Sequence, residues 1–335
     1  MGGLSGGALG SPFLTIVITG RHDNYGGDFN ERFFTALHFN HARLAERGVP
    51  FEVILVEWNP VSDRVPLCEL AGREFATLPA GVLRRILVAP EYHAALTQNP
   101  RIPYLEYAAK NVGIRRAEAP FVLATNTDIL LGRHVVDAIA DRRLRPGVVY
   151  RAPRYDIKLG ADQSRIGWDA LEDVANHIRR PTLSPPLFAG GSGDFALADR
   201  DTFHALRGYN EVYRAAKHGL DHNFLVKAHG AGVPIEDIGG PVYHINHVGS
   251  YRISKALYRD NPQDAPWGDT RWHSRHVVYN NPDGWGLGDA PARTLPDGSV
   301  SLDFDWRAVP PIVELRRVVL PLRQAGAKGV EAGSM

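Results

Sequence analysis

Apolar runs that end on polar turns recur along this chain, and the clearest is 121–131, FVLATNTDILL. An apolar run bounded by turn residues is typical of a strand covered on both faces in an α/β sheet. The turn Asn126-Thr127-Asp128 falls at the carboxyl end of this predicted strand, where open α/β sheets bind their ligands. Asp128 is therefore a candidate ligand-binding carboxylate, although an aspartate after a strand is also a common turn former.

A strand, a helix and a second strand open the chain. The run 13–18, FLTIVI, predicts the first strand, and 51–57, FEVILVE, predicts the second. Between them, Phe33, Leu37 and Leu44 form an apolar stripe at helical spacing, which predicts a helix over 30–47. Two strands joined by a helix in this way are expected to lie parallel in one sheet.

The later elements are shorter and follow the same alternation of strand and helix, which predicts an α/β fold. Strands are expected at 85–89, 148–151, 194–198, 233–238 and 242–246, and helices at 104–117, 168–179, 200–206 and 219–229. Apart from its helix, the polar stretch 153–186 is expected to lie outside the sheet.

Composition and charge exclude several classes of protein. The chain has 335 residues, 44% of them hydrophobic, which is ordinary for a globular protein with a sizeable core. The 38 basic and 37 acidic residues nearly balance, so nothing points to a nucleic-acid partner. The single cysteine, Cys68, cannot form an intrachain disulfide, and a reducing cytoplasm is the expected location. The start of the chain does not resemble a signal peptide.

Five segments, in this order, resemble the GT-A fold glycosyltransferases, most closely the family-two inverting enzymes. They are LTIVITGRHDN, KNVGIRRAEAPFVLATNTDILL, GGSGDFALADRDTFHALRGYNE, HGLDHNFLVKAHGAG and VYHINH. The resemblance covers about 13–247. It implies a Rossmann-like, mixed and mostly parallel α/β sheet flanked by helices, with an irregular C-terminal extension.

The resemblance also implies a division of the chain. Residues 1–12 are expected to be a flexible leader, 13–250 a GT-A domain, and 251–335 the C-terminal extension. Within the domain, 13–131 would be the nucleotide-binding half and 132–250 the acceptor-binding and catalytic half. The apolar stretch 313–322 carries arginines and fits either a packing helix or a helix on a membrane surface, which leaves a peripheral position on the inner membrane face open.

The activity implied is transfer of a sugar, with inversion, from a nucleotide-diphosphate donor to a hydroxyl of a glycan or small molecule. The loops after the first two strands and the segment before the central strand would contact the donor. The implied donor-binding residues are Thr19, Gly20, Arg21, Asp23, Glu57, Lys110, Asn111, Asn126 and Thr127. One of them, Lys110, could instead be a solvent-exposed lysine on the surface of a helix.

A departing diphosphate builds up negative charge, and a hard divalent cation, Mn²⁺ or Mg²⁺, can neutralise it. Asp128 would be the carboxylate ligand, with His247 or His244 beside it, although both could be ordinary histidines. Since successive strand residues face opposite sides, only one of the two histidines is expected to reach the cation, and His247 is favoured. The family usually has two aspartates in this motif, and here Asn126 replaces the first. Asn126→Asp is therefore expected to tighten cation binding.

Attack by an acceptor hydroxyl needs a base. Asp221 follows Gly219 at the start of a predicted helix, so it fits either the base or a helix N-cap. Asp194 is the second catalytic candidate, because it follows a glycine-rich segment that permits close backbone approach to a ligand. The acceptor or sugar is assigned to Gly191, Ser192, Gly193 and Trp168.

Three other functions remain open from the sequence. A nucleotidyltransferase acting on a sugar phosphate would need a glycine-rich basic loop after the first strand, and TGRHDNYGG is a poor version of one. A protein that binds sugar nucleotides or glycans without turnover is suggested by Asn126 in the metal motif. A histidine-rich metal hydrolase could draw on His218, His222, His244 and His247, and the first two have the i, i+4 spacing of a helical metal pair.

Overall fold

The computed structural model describes residues 11–78, 82–158, 166–214, 219–247 and 276–310. The predicted leader up to residue 10 and the stretch 313–322 lie outside the described residues. The strands are β1 (Leu14–Gly20), β2 (Phe51–Trp58), β3 (Leu83–Val88), β4 (Phe121–Thr125), β5 (Ile129–Leu131), β6 (Val149–Arg151), β7 (Arg154–Ile157), β8 (His177–Arg179), β9 (Phe195–Asp199), β10 (Ile235–Asp237), β11 (Val242–Ile245), β12 (Ala292–Thr294) and β13 (Val300–Leu302).

Helices cover both faces of the main sheet. Along β1, Ile16 and Ile18 face a core that α1 and α2 close, whereas Val17 faces the opposite core and contacts the α4 side. This alternation follows from the two-residue period of a strand that is buried on both faces. The helices are α1 (Phe29–Glu46), α2 (Leu67–Glu74), α3 (Pro90–Leu96), α4 (Glu106–Arg115), α5 (Arg133–Ala140), α6 (Trp168–Glu172), α7 (Arg200–Ala205) and α8 (Leu220–Gly230).

The main sheet has nine strands in the order β10-β6-β9-β4-β1-β2-β3-β13-β12. Its centre is parallel, because β1 pairs with β2 and β4 and β2 pairs with β3 in that sense, while β9 runs antiparallel to β4. The predicted fold class, a mixed and mostly parallel sheet flanked by helices, is confirmed. The parallel central strands bring the ends of β1, β2 and β4 to one edge, where the loops that follow them meet.

A second sheet, in the order β5-β11-β7-β8, stands beside the end of β4. In it, β11 runs antiparallel to β5 and parallel to β7, so that His244 lies opposite Ile129 on one side and Asp156 on the other. The pairing with β5 carries β11 next to the turn that holds Asp128.

The expectation that 153–186 lies outside the sheet is wrong. Strands β7 and β8 come from this stretch, and the helix expected over 168–179 ends at Glu172 and gives way to β8. The strands were missed because they are short and polar. β7 pairs with β11, which is distant in the sequence, and β8 pairs with β7.

The described part of the predicted extension, 276–310, packs on the main sheet. β13 pairs in parallel with β3, and the hairpin formed by β12 and β13 becomes one end of the sheet. Trp285 and Leu287 are 3% exposed and lie in the core beside α4. In the parts of the chain that the structure describes, no helix combines the length and apolar character required to cross a membrane.

Candidate active site

A cleft of about 630 Å³ opens at the carboxyl edge of the main sheet, where the second sheet joins it. Its size is within the range of small-molecule sites. Loops after β1 and β4, helices α1, α4 and α8, and strands β7 and β11 contribute to its walls. The charged and imidazole side chains among its lining residues are Arg21, Asp23, Arg32, Glu106, Asp128, Arg154, Asp156, Arg179, Asp194, Asp221, His244 and His247.

Asp128 lies in the wall of this cleft and is only 7% exposed. Its Oδ2 faces three basic groups, with Arg32 Nη1 at 2.6 Å, His247 Nε2 at 3.5 Å and His244 Nε2 at 3.6 Å. Burial alone would raise the pKa of Asp128, but His244, Arg32 and His247 together hold the pKa well below its usual range. Asp128 is therefore ionised, as a cation ligand must be.

One oxygen ligand and two nitrogen ligands converge at this point. The ligand atoms of Asp128, His244 and His247 all lie within 4.8 Å of one another. A carboxylate oxygen suits both Mg²⁺ and Mn²⁺, and the imidazole nitrogens shift the preference toward Mn²⁺. The donor set therefore fits the cation that the sequence resemblance implies.

The expectation that the two histidines face opposite sides of the strand is wrong, because both rings face Asp128. Strand alternation does not apply to His247, since β11 ends at Ile245, two residues before it. The two rings lie edge to face with their centres 5.3 Å apart.

A second carboxylate fixes the orientation of His244. Asp156 on β7 lies 3.0 Å from His244 Nδ1 and 3.0 Å from Arg154 Nε. Burial lowers the pKa of His244, but the Asp128 and Asp156 carboxylates more than offset this and raise the pKa to about 9. With Nδ1 bonded to Asp156, Nε2 is directed toward Asp128, an arrangement common for metal-binding histidines. Sequence reasoning missed Asp156 and Arg154, and the alternation in RYDI was the available signal.

Asn126 takes part in a different network. Its side-chain oxygen accepts a hydrogen bond from Lys110 Nζ at 2.7 Å, and its nitrogen donates to Asp194 Oδ1 at 2.8 Å. Lys110 is fully buried and also donates to Glu106 and to the Gly193 carbonyl. Lys110 is therefore a buried tie between α4, Asn126 and the glycine-rich segment, and the interpretation as a solvated helix cation is wrong.

Asp194 is held tightly in the wall of the cleft. It is 4% exposed, and its Oδ2 lies 3.0 Å from Arg154 Nη1 while Asn126 occupies its Oδ1. Burial raises the pKa of Asp194, and Arg154 opposes that effect only in part. Both carboxylate oxygens thus have protein partners.

Asp221 is half-buried and lines the same cleft. The N-cap of α8 is Gly219, at φ 89°, so the interpretation of Asp221 as the N-cap is wrong. The side chain instead crosses to the glycine-rich segment, where its Oδ2 accepts the Gly193 N–H at 2.9 Å. This contact holds the carboxylate at the cleft surface.

The structure places part of the predicted donor and acceptor set on the cleft. These residues are Thr19, Gly20, Arg21, Asp23, Asn126, Thr127, Gly191 and Gly193.

Besides Lys110, two predicted donor residues lie away from the cleft lining, and their assignment is corrected. Glu57 is fully buried, where its Oε2 accepts the Cys68 N–H at 2.9 Å, and burial raises its pKa. Asn111 is also fully buried, and its amide bonds the backbone of Tyr209 and the side chain of Glu211. Both side chains organise the scaffold behind the cleft.

Two predicted acceptor residues also lie away from the lining. Ser192 is 4% exposed, and its carbonyl accepts a hydrogen bond from Arg151. Trp168 donates to the Leu131 carbonyl at 3.2 Å, and the Arg133 guanidinium lies over its ring. This indole packs the second sheet against α1 and does not offer a face to the cleft.

Of the histidines suggested for a metal hydrolase, His244 and His247 belong to the Asp128 group, and the helical pair does not form a second cluster in the described ranges. His222 lies 5.4 Å from the ring of His276, and His218 lies outside the described residues. Among the residues that the structure describes, Asp128, His244 and His247 are the group of three that could hold a metal ion.

No protein-family model and no curated protein matches the chain. Among solved structures, the chain is similar to GalNAc-T7 with UDP, GalNAc and Mn²⁺ (14% identity, TM-score 0.43). It is also similar to S. aureus TarS 1–349 (13%, 0.42) and to the catalytic domain of Drosophila β1,4-galactosyltransferase 7 with xylobiose (13%, 0.37). The alignments cover 73%, 78% and 88% of this chain and 47%, 68% and 96% of those chains. The chain therefore spans about half of the first, and matches this distant assign it no activity.

Proposed function

We propose that this chain is a divalent-cation-dependent glycosyltransferase that moves a sugar, with inversion, from a nucleotide-diphosphate donor to a hydroxyl acceptor. The observation that carries the proposal is the convergence of Asp128, His244 and His247 in a cleft that also holds Asp221. A cation site and a separate carboxylate in one cleft are the two parts that this chemistry needs. The resemblance of five sequence segments to GT-A enzymes supports the same function.

The side chains around the cation site have distinct roles in this proposal. Asp128, His244 and His247 would hold Mn²⁺ or Mg²⁺, which when bound neutralises the charge of a diphosphate leaving group. Asp156 keeps the His244 ring in its orientation through the bond to Nδ1. Thr19, Arg21 and the other lining residues of the β1 loop would contact the nucleotide.

Asp221 is the better of the two candidates for the base. Both oxygens of Asp194 are bonded within the protein, one to Arg154 and one to Asn126. Asp221 is more exposed, and the Gly193 N–H steadies its carboxylate without neutralising it. Asp221 is therefore placed to accept the proton of an acceptor hydroxyl, whereas Asp194 with Arg154 would shape the sugar pocket.

Binding of sugar nucleotides without turnover is the second candidate function. It is favoured by Arg32, which occupies the same carboxylate oxygen that a cation would use. The two functions differ in one measurement, because only an enzyme releases sugar or nucleoside diphosphate from the donor.

The test begins with thermal melting of the protein against nucleoside diphosphates and sugar nucleotides, with Mn²⁺ or with a chelator, since a ligand of the native state raises the midpoint. For each sugar nucleotide that raises the midpoint, hydrolysis and transfer of the sugar are then measured. Asp221→Asn is expected to lower turnover by about 10²–10⁴-fold and to leave nucleotide affinity nearly unchanged. Asp297→Asn, far from the cleft, serves as the matched control.

Turnover by Asp221→Asn within about tenfold of wild type would contradict the role of a positioned base. Retention of the anomeric configuration would contradict a directly acting base as well. Donor binding with no turnover by wild type, across donors and acceptors, would favour the binding-protein alternative.

A further inference from the structure

Arg32 is a buried cation placed in the cation site itself. It lies in the first turns of α1 and is 3% exposed, and its Nη1 donates to Asp128 Oδ2 at 2.6 Å. The same oxygen faces both imidazoles that would bind a metal. A guanidinium and a divalent cation would therefore seek the same carboxylate oxygen.

Arg32 does not depend on Asp128 alone for its place. Its Nε and Nη2 donate to the Gly27 carbonyl at 3.4 and 3.1 Å, and Nη2 also donates to the Tyr25 carbonyl. These bonds hold the guanidinium when the carboxylate is taken by another cation. The arginine therefore remains a positive charge close to the site when a metal takes Asp128 Oδ2, and it repels that metal.

The segment that holds Arg32 is also packed against the metal-binding histidine. Residues 24–28 make a tight turn with positive φ at Asn24, Gly26, Gly27 and Asp28. A Cβ on Gly26 would lie 2.3 Å from His247 Nδ1, so the backbone there rests directly on the imidazole. The β1 loop, Arg32 and the cation site therefore form one packed unit.

On the basis of the proposed cation site, we infer that Arg32 is a built-in competitor that keeps the affinity of the free protein for divalent cations low. A nucleoside diphosphate relieves the competition, because its phosphate oxygens offer the guanidinium a new anionic partner. Cation and nucleotide then bind cooperatively, and the cation is retained chiefly together with the donor. Arg32 is in this sense a positioning residue for the donor complex.

The competitor role of Arg32 depends on its positive charge, whereas a purely structural role does not. Arg32→Met removes the positive charge and keeps much of the side-chain length, and Arg32→Lys keeps the charge. A repulsive unit charge within a few ångströms of a divalent ion is a large effect even at an effective dielectric constant of about 20. Arg84→Met is the matched control, because Arg84 pairs with Glu52 at 3.0 Å at the opposite edge of the sheet.

The experiment measures Mn²⁺ binding to the full chain by electron paramagnetic resonance, with and without a saturating nucleoside diphosphate found by the melting screen, or UDP if none is found. Without nucleotide, Arg32→Met should bind Mn²⁺ at least about tenfold more tightly than wild type. Arg32→Lys and Arg84→Met should stay within about threefold of wild type, which is below the charge effect. The nucleotide should tighten Mn²⁺ binding more in wild type than in Arg32→Met.

Melting temperature gives a readout that does not depend on activity. Without metal, Arg32→Met should melt at a lower temperature than wild type, because Asp128 loses its arginine partner. With Mn²⁺, its melting temperature should rise more than that of wild type, because stabilisation by a ligand grows with affinity. Equal or weaker Mn²⁺ binding by Arg32→Met would overturn the competitor role while the cation site of wild type stands. No Mn²⁺ binding by wild type or by Arg32→Met would overturn both the competitor role and the cation site.

Discussion

Two polar clusters in this molecule have opposite designs. The proposed cation site has Arg32, His244 and His247 around one oxygen of Asp128, and it opens into the cleft. The second, the 206–211 cluster, consists of Asn111, Glu211, Lys227 and Asn281, whose side chains bond the backbone of the 206–211 turn or of Gly286.

The 206–211 cluster is closed within the protein, whereas the proposed cation site faces the cleft. Asn111, Lys227 and Asn281 are at most 1% exposed, and Lys227 Nζ donates to the Leu206 and Gly208 carbonyls at 2.7 and 2.6 Å. A buried network with its partners supplied by the backbone rigidifies a turn. Basic groups gathered on a single carboxylate oxygen beside a cleft indicate ligand binding instead.

The largest expected effect comes from breaking the cation site. Asp128→Asn should weaken Mn²⁺ binding by at least about 1,000-fold, because a charged ligand becomes a weak neutral one. The chain should stay folded, since an amide oxygen still accepts from Arg32, which also keeps its bonds to the Gly27 carbonyl. Titration calorimetry with Mn²⁺ measures the affinity, and near wild-type binding would show that Asp128 is not a ligand.

Breaking the closed cluster should change stability and not binding. Asn111→Leu removes three hydrogen bonds made with Tyr209 and Glu211. The loss leaves the buried Tyr209 N–H unpaired, while Asn281 still donates to the Tyr209 carbonyl, and it should lower the free energy of unfolding by about 3 kcal/mol. Urea unfolding measures it. A stable variant with weakened Mn²⁺ binding would contradict the division between the two clusters.

Asn126→Asp sharpens the boundary of the cation site. The sequence suggests that it tightens cation binding, but its amide nitrogen faces Asp194 Oδ1 at 2.8 Å. A carboxylate there repels Asp194, which should cost about 1–2 kcal/mol of stability and leave Mn²⁺ affinity unchanged. Adding Asp194→Asn should restore much of the loss. Clearly tighter Mn²⁺ binding by the single variant would place Asn126 at the cation after all.

The smallest effect is a pH dependence in the closed cluster. Burial raises the pKa of Glu211 above 4.5, against hydrogen bonds from Asn111 and Gly286. A raised pKa means that the folded state holds the proton more tightly than the unfolded state does. The resulting stabilisation of the folded state is fully present below pH 4.5 and is lost as pH rises through the folded-state pKa. Urea unfolding across this range should show wild type gaining on Glu211→Gln as pH falls. A constant difference between the two would contradict the burial effect.

The sequence predicted the elements whose pattern is local. The first βαβ unit and β4 follow from long apolar runs and from one helical stripe, and the position of Asp128 follows from the end of β4. β7 and β8 could not be predicted in this way, because β7 is held by pairing with the distant β11 and β8 by pairing with β7. The same pairing of β7 with β11 brings Asp156 to His244, which is 88 positions away in the sequence.

The sequence also could not separate residues that contact a ligand from residues that hold the scaffold. Lys110 and Asn111 are neighbours in one motif, and both side chains point into the protein, one toward Asn126 and one toward Tyr209. Arg32 could not be predicted from α1 alone, because the apolar stripe of a helix says nothing about the partner of a polar residue. Its partner Asp128 is 96 positions away, so only the folded chain brings the two together.

The most direct test of the cation site is diffraction at the manganese absorption edge from crystals of the protein grown with Mn²⁺ and a nucleoside diphosphate. The expected result is one anomalous peak, which marks a manganese ion bound by an Asp128 oxygen, by Nε2 of both His244 and His247, and by the diphosphate. A nucleotide bound in the cleft with no peak at these three residues, or a manganese ion bound elsewhere in the cleft, would contradict the proposed site.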